Sequence, residues 1–153
     1  MTKRIAGNPN ALPLMEGWNG QFYDLCRSGT LHFQRCIDCG TFRYVPRELC
    51  AACGSFARRW TPSSGRGRIY SWTVVARALH PAFLKAAPVA PVVVEMKEAV
   101  RLLSQVIDCA RDGLAVGLTV EIILQAVTDD ITLPFFRLAR PAAGMARQPL
   151  ERD

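Results

Sequence analysis

No apolar run in the sequence approaches the ~20 residues needed to span a bilayer. The greasiest stretch, residues 86–94, is short and broken by Pro88 and Pro91. A leader pattern is also missing, because the basic start Met1-Thr2-Lys3-Arg4 runs into polar, proline-bearing sequence. Secreted, membrane-spanning, collagenous and coiled-coil readings are therefore poor, and a cytoplasmic protein is expected. Histidine is scarce, with two in 153 residues. None of the motifs G-x-S-x-G, H-E-x-x-H or G-x-x-x-x-G-K occurs. Gly65-Arg66-Gly67 begins like a dinucleotide fingerprint, but Tyr70 stands where the third glycine belongs, and the run enters a strand pattern, not a helix. Glu95 and Glu98 could be paired as acid and base, yet on a strand followed by a turn they are expected to face solvent. A self-sufficient enzyme is not expected from this inventory. Aromatic residues are absent between Leu84 and Pro134. That gap removes most of the stacking platform used by single-strand nucleic-acid binders.

What is present reads as globular. Hydrophobic residues make up 50% and charged residues 21%, enough to build one ordinary domain or two very small ones. The formal charge is +6, and residues 1–62 hold 8 basic against 4 acidic side chains. The same region contains five of the six cysteines: Cys26, Cys36, Cys39, Cys50 and Cys53, with Cys109 further on. Four thiolates around a divalent ion carry −2, so the working charge falls to about +4 and the basic excess becomes local compensation. Net charge is then a weak argument for nucleic acid.

Along the chain, residues 1–28 divide into a loose Asn- and Pro-bearing arm and a helix over 14–28. Leu14, Trp18, Phe22 and Leu25 form its apolar stripe, with Cys26 beside them. Gly17 and Gly20 oppose that helix, at roughly 1 kcal/mol each in a helix interior. Residues 29–62 hold the cysteine pairs, and Pro62-Ser63-Ser64-Gly65 reads as a turn or linker. Residues 63–140 change to a β pattern with five strand candidates: Arg68 to Leu79, Pro91 to Met96, Val100 to Asp108, Leu118 to Leu124 and Ile131 to Leu138. Lys97-Glu98-Ala99 and Arg111-Asp112-Gly113 are turns between them. Residues 141–153 read as a frayed tail.

The cysteines form two units, Cys36-Ile37-Asp38-Cys39-Gly40 and Cys50-Ala51-Ala52-Cys53-Gly54, with ten residues between the pairs. Two residues between cysteines let both sulfurs of a tight turn face one ion, and the following glycine supplies the backbone angles of that turn. Two such turns give four soft ligands in tetrahedral array, which suits zinc and closes its shell. A closed shell leaves no place for substrate, so the metal would be structural. The same four sulfurs would serve iron in a rubredoxin-like site, and two disulfides are a further alternative. Cys26 and Cys109 lack partners at ligand spacing and read as free thiols.

These residues, taken in order, resemble the acyl-CoA-associated proteins of the DUF35 family. The resemblance covers roughly residues 14–140. It rests on the aromatic N-terminal helix, Gly29-Thr30-Leu31 before the first cysteine unit, and Pro46-Arg47 before the second. It continues through Ser63-Ser64-Gly65-Arg66-Gly67, Tyr70-Ser71-Trp72-Thr73-Val74-Val75 and His80-Pro81-Ala82-Phe83. Val116-Gly117-Leu118-Thr119-Val120 and Leu133-Pro134-Phe135-Phe136-Arg137 complete it. Many members carry an Asp/Glu-Glu-Gly turn where this chain has Lys97-Glu98-Ala99.

The resemblance implies a mainly β chain in which an N-terminal helix precedes a rubredoxin-like zinc ribbon and a C-terminal five-stranded OB-fold barrel. Cys36, Cys39, Cys50 and Cys53 would hold one structural zinc. It further implies an accessory subunit of a thiolase-superfamily, aldolase or hydratase enzyme, one that binds acyl-CoA or shapes the acyl-CoA channel while the partner supplies the reacting groups. Arg66 and Arg68 would meet the anionic end of CoA, since guanidinium matches phosphate geometry. His80 and Phe83 would line a channel at the partner interface. Trp18 and Phe22 would dock on the barrel or on the partner. The main rival is a zinc-ribbon and OB-fold protein that binds single-stranded nucleic acid, which the aromatic gap disfavours.

Overall fold

The computed structural model describes residues 12–77 and 88–139 of the 153. Its elements run α1 (Gly17–Arg27), β1 (His32–Cys36), β2 (Phe42–Arg43), β3 (Arg58–Pro62), β4 (Arg66–Trp72), β5 (Pro91–Met96), β6 (Arg101–Gln105), β7 (Thr119–Ala126) and β8 (Thr132–Leu138). A 3-10 turn covers Arg111–Gly113. Among the described residues no helix is long and apolar enough to cross a membrane.

The helix is shorter than its apolar stripe suggested. Gly17 takes a left-handed φ of +54° and begins α1 there, which leaves Leu14 outside it and exposed. Gly20 is tolerated inside because the Met15 carbonyl crosses the position a Cβ would occupy, at 2.8 Å. At the other end the Ser28 hydroxyl donates to the Leu25 carbonyl at 2.7 Å. Phe22 and Cys26 fall one turn apart on the face that packs against β8, β7 and β1.

The ribbon is a three-stranded antiparallel sheet in the order β2-β1-β3. β3 lies in the region read only as holding the cysteine pairs; it forms by pairing along the whole of β1, from His32 opposite Pro62 to Cys36 opposite Arg58. The segment read as a turn or linker joins β3 to β4 and is held by hydrogen bonds. The Ser63 amide donates to the Leu31 carbonyl at 2.8 Å, and the Gly65 amide to the Ser63 hydroxyl at 3.1 Å.

The second sheet has the order β6-β5-β4-β7-β8. It curls until Val106 bridges Phe136 in parallel and the Ser104 hydroxyl reaches the Pro134 carbonyl at 2.6 Å. This closes an OB-like five-stranded barrel, the only arrangement that fully removes sheet edges. β4 ends earlier than its sequence pattern, because pairing shifts register between Ile69 and Ser71 and then thins to a single bridge, Val75 to Val89. One apolar core joins the parts, with Phe22, Leu31 and Phe33 packed into the same cluster as Ile69, Val94, Leu102, Val120 and Phe136.

The turn between β5 and β6 carries the departure from the family pattern. Ala99 sits at φ +58°, where its Cβ is crowded and glycine is not. Neighbouring bonds hold it there, from the Ala99 amide to Met96 and from Met96 to Val100. Ala99→Gly should therefore stabilise the chain by about 1 kcal/mol, read as a rise in the thermal midpoint. An unchanged or lowered midpoint would show that the turn carries no such strain.

Candidate metal centre and flanking surfaces

Two short turns with the same hydrogen bonds build the centre. In the first, the Gly40 amide donates to the Cys36 carbonyl at 3.1 Å and the Cys36 amide to Thr41 at 2.9 Å. In the second, the Gly54 amide donates to Cys50 at 2.8 Å and the Cys50 amide to Ser55 at 2.9 Å. Gly40 and Gly54 have φ of +74° and +76°, a conformation that favours glycine and explains why each unit ends on it. The four sulfur atoms lie within 4.8 Å of one another, with Cys36 to Cys53 and Cys39 to Cys50 each at 3.6 Å. A tetrahedral zinc site at ordinary Zn–S lengths spaces its sulfurs by about 3.8 Å, so the set fits that ion. Disulfides need sulfurs about 2.05 Å apart, and all six cysteines are free. Cys36, Cys39, Cys50 and Cys53 would hold the ion, whose role is to join the two turns.

The thiols differ in how readily they give up a proton. The Thr41 hydroxyl, 3.2 Å from the Cys39 sulfur, lowers that thiol to about 6. The Cys36 thiol is lowered chiefly by the Cys39 amide. At Cys53 the Ser55 amide also favours the thiolate, but the thiols of Cys39, Cys36 and Cys50 together with burial outweigh it and raise the group to about 12. Metal entry must expel the Cys53 proton.

Arginines brace the turns through carbonyl oxygens. Arg35 donates from Nε to Gly40 O at 3.0 Å. Arg43 and Arg58 both donate to Glu48 O, at 3.4 and 3.2 Å, just before the second turn. Gln34 was missed by sequence reasoning because a glutamine beside a basic residue reads as surface. It is 1% exposed and accepts the Arg47 amide at 2.9 Å, spanning β1 and the loop ahead of the second turn.

The other expected positions separate. Phe22 is 1% exposed, in ring contact with Tyr23 and Tyr44 at 5.1 and 5.4 Å, so docking within the chain accounts for it. Trp18 stays half-buried, with the Arg58 guanidinium 3.7 Å from its ring centroid. Together with Ile37, Phe56 and Trp60 it lines a cleft of about 570 Å³ between α1 and the ribbon. Arg66 and Arg68 project from β4 on either side of Gly67, where an added Cβ would lie 2.6 Å from the Glu95 carbonyl. The register sets Arg66 opposite Glu121 and Arg68 opposite Glu95. Those carboxylates are engaged by Arg137 at 2.6 Å and Arg101 at 3.5 Å. Both β4 arginines are exposed. His80 and Phe83 lie outside the described residues. Glu98 does not face solvent as expected; it is half-buried and accepts the Ser64 amide at 2.6 Å. Cys26 is buried in the core, its thiol raised to about 12 by burial.

Comparison with known proteins places both halves. The ChsH2 rubredoxin-like zinc ribbon domain matches residues 24–57, and the ChsH2 C-terminal OB-fold domain matches residues 60–125. A DUF35 domain-containing scaffold protein of Methanocaldococcus jannaschii is 33% identical over 101 residues, 63% of this chain and 68% of that protein. A probable enoyl-CoA hydratase alpha subunit of Thermomonospora curvata is 32% identical over 143 residues, 92% of this chain. This chain spans only 44% of that relative's length. A solved structure, Ltp2-ChsH2(DUF35) aldolase, superposes with a TM-score of 0.74 at 31% identity, covering 83% of this chain and 98% of that one. A DUF35 protein of Sulfolobus solfataricus shares the fold, with a TM-score of 0.57 at 15% identity.

Because four thiolates must form, zinc affinity should fall as pH drops from about 8 to 6, measured by competition with a chromogenic chelator. The same chelator in excess should release one zinc per chain and lower the thermal midpoint. Purified protein without metal that melts unchanged would remove the centre.

Proposed function

Because the chain belongs to the ChsH2 family of DUF35 zinc-ribbon and OB-fold proteins, we propose that it is a non-catalytic accessory subunit. Its partner is an enzyme of the thiolase superfamily, an aldolase or a hydratase that acts on acyl-CoA. The observation that carries this reading is the likeness to nearly the whole DUF35 chain of an aldolase assembly. The hydratase name of a second relative points to the same substrate class.

The chemistry of this chain supports a division of labour. The metal set is a closed shell of four sulfurs, suited to holding the ribbon together and not to activating water. The carboxylates first weighed as acid and base are spent on structure, Glu95 with Arg101 and Glu98 with the Ser64 amide. The partner would supply nucleophile and base. On this chain Arg66 and Arg68 offer two exposed guanidiniums one residue apart on a rigid strand, suited to phosphate oxygens of CoA. His80 and Phe83, in the segment joining β4 to β5, are proposed to line the acyl channel at the partner interface.

Affinity-tagged chain purified from its native host should bring down an acyl-CoA enzyme. The chain alone should leave acyl-CoA thioesters unchanged. In the complex, reversing both Arg66 and Arg68 to Glu should weaken acyl-CoA binding about tenfold or more without lowering the thermal midpoint. Robust turnover by the isolated chain would overturn the reading.

A further inference from the structure

Among the described residues the ribbon arginines form no ion pair with a carboxylate. Residues 29–62 contain Arg35, Arg43, Arg47, Arg58 and Arg59 against Asp38 and Glu48. The ion pairs among the described residues lie elsewhere, at Arg27–Asp24, Arg101–Glu95 and Arg137–Glu121. Several donors are also buried without an acceptor: Gln34 Nε2, Arg58 Nε, and Nε and Nη2 of Arg43, which is 6% exposed. Burying donors unpaired costs roughly 1–3 kcal/mol each and more for charged groups. Gln34 and Arg58 belong to the wall of the cleft between α1 and the ribbon. The rest of the wall carries the polar Gln21, Glu48 and Arg59 beside an apolar strip that is open to solvent, with Phe56 62% and Ile37 57% exposed next to Trp18 and Trp60. A wall of Trp and Phe beside Arg is the composition of interface hot spots.

We propose that this cleft is the docking site for an acidic segment of the partner protein, one that seats a bulky apolar side chain against Phe56, Ile37 and Trp60 and offers a carboxylate to Arg58. Charge complementarity selects this occupant, since the ribbon presents guanidinium groups that no carboxylate of its own satisfies. A stacked nucleic-acid base fits less well. The Arg58 guanidinium already covers a face of Trp18 at 3.7 Å, and the Trp60 indole nitrogen is fixed to Gln21 at 3.0 Å. The proposal deepens the accessory reading and rests on it for the identity of the partner as an acyl-CoA enzyme.

The test uses the zinc-loaded full chain and its tryptophan fluorescence. A synthetic peptide alternating Asp with Leu and Phe should bind saturably. Its counterpart with Lys for Asp should bind at least about tenfold more weakly. Phe56→Ser and Arg58→Gln should each weaken the Asp peptide by about tenfold. Phe56 is exposed, so its variant should keep the wild-type midpoint and stands as the check if Arg58→Gln unfolds the ribbon. Equal binding of both peptides, no binding, or an unaffected Phe56→Ser would overturn the proposal. So would an oligothymidylate binding in place of the Asp peptide and losing affinity in the same variant. No enzyme or acyl-CoA enters these titrations. A failed cleft therefore leaves the accessory reading standing, and a failed accessory reading leaves the peptide site intact.

Discussion

Four sulfurs within 4.8 Å of one another are spaced to share one cation. The ribbon around them has too little apolar substance to close by itself, since β2 is two residues long and the turns bearing Cys39 and Cys53 are exposed. A shared ion would fix the two turns, which lie at the end of the sheet away from the apolar core. Once the two turns are fixed, β1 and β3 are brought to the register in which Cys36 faces Arg58 and Gln34 faces Trp60. That register places Arg58 on the cleft wall, where its guanidinium lies over Trp18.

The second constraint is the core that helix, ribbon and barrel share. Phe22 from α1 and Phe33 from β1 both reach Tyr44, at ring separations of 5.4 and 5.9 Å, and both belong to the cluster that contains the barrel residues Val94 and Phe136. Aromatic burial on this scale contributes roughly 1.5–3 kcal/mol per ring. It turns three weak elements into one body. The ribbon is thus fixed against the barrel, a property suited to a subunit that presents a rigid surface to another protein.

The arginines divide by environment. On β4 the sheet register spends the facing carboxylates on Arg137 and Arg101, which leaves Arg66 and Arg68 pointing outward from a stiff strand. In the ribbon, Arg35, Arg43 and Arg58 are bent toward carbonyl oxygens of the turns. A carbonyl carries only partial charge, so these guanidiniums remain electrostatically underpaired. The two groups lie in different sheets, and each has its own anionic complement in the functional reading given above.

The cysteine units and the five β segments were legible because their signals are local: two residues between thiols, a glycine after each pair, and alternation at period two. Pro91–Met96 came out without change, and the other four segments overlap β4, β6, β7 and β8 with shifted ends, most of all where β4 stops at Trp72. The resemblance then supplied the barrel, since alternation alone does not state which strands pair. What the sequence could not carry was anything set by partners far along the chain. Leu14 looked like the start of the helical stripe until the left-handed Gly17 excluded it. β3 exists only because β1 runs beside it, and Glu98 is half-buried only because Ser64, 34 positions away, needs an acceptor. The chain's own residues determined the ligand set and the strand content, because both depend on near neighbours. Tertiary structure alone decided that Gln34 is buried, that Phe22 is core, and that Trp18 and Phe56 share a cleft, because burial is a property of the surfaces that close over a residue and not of the residue itself.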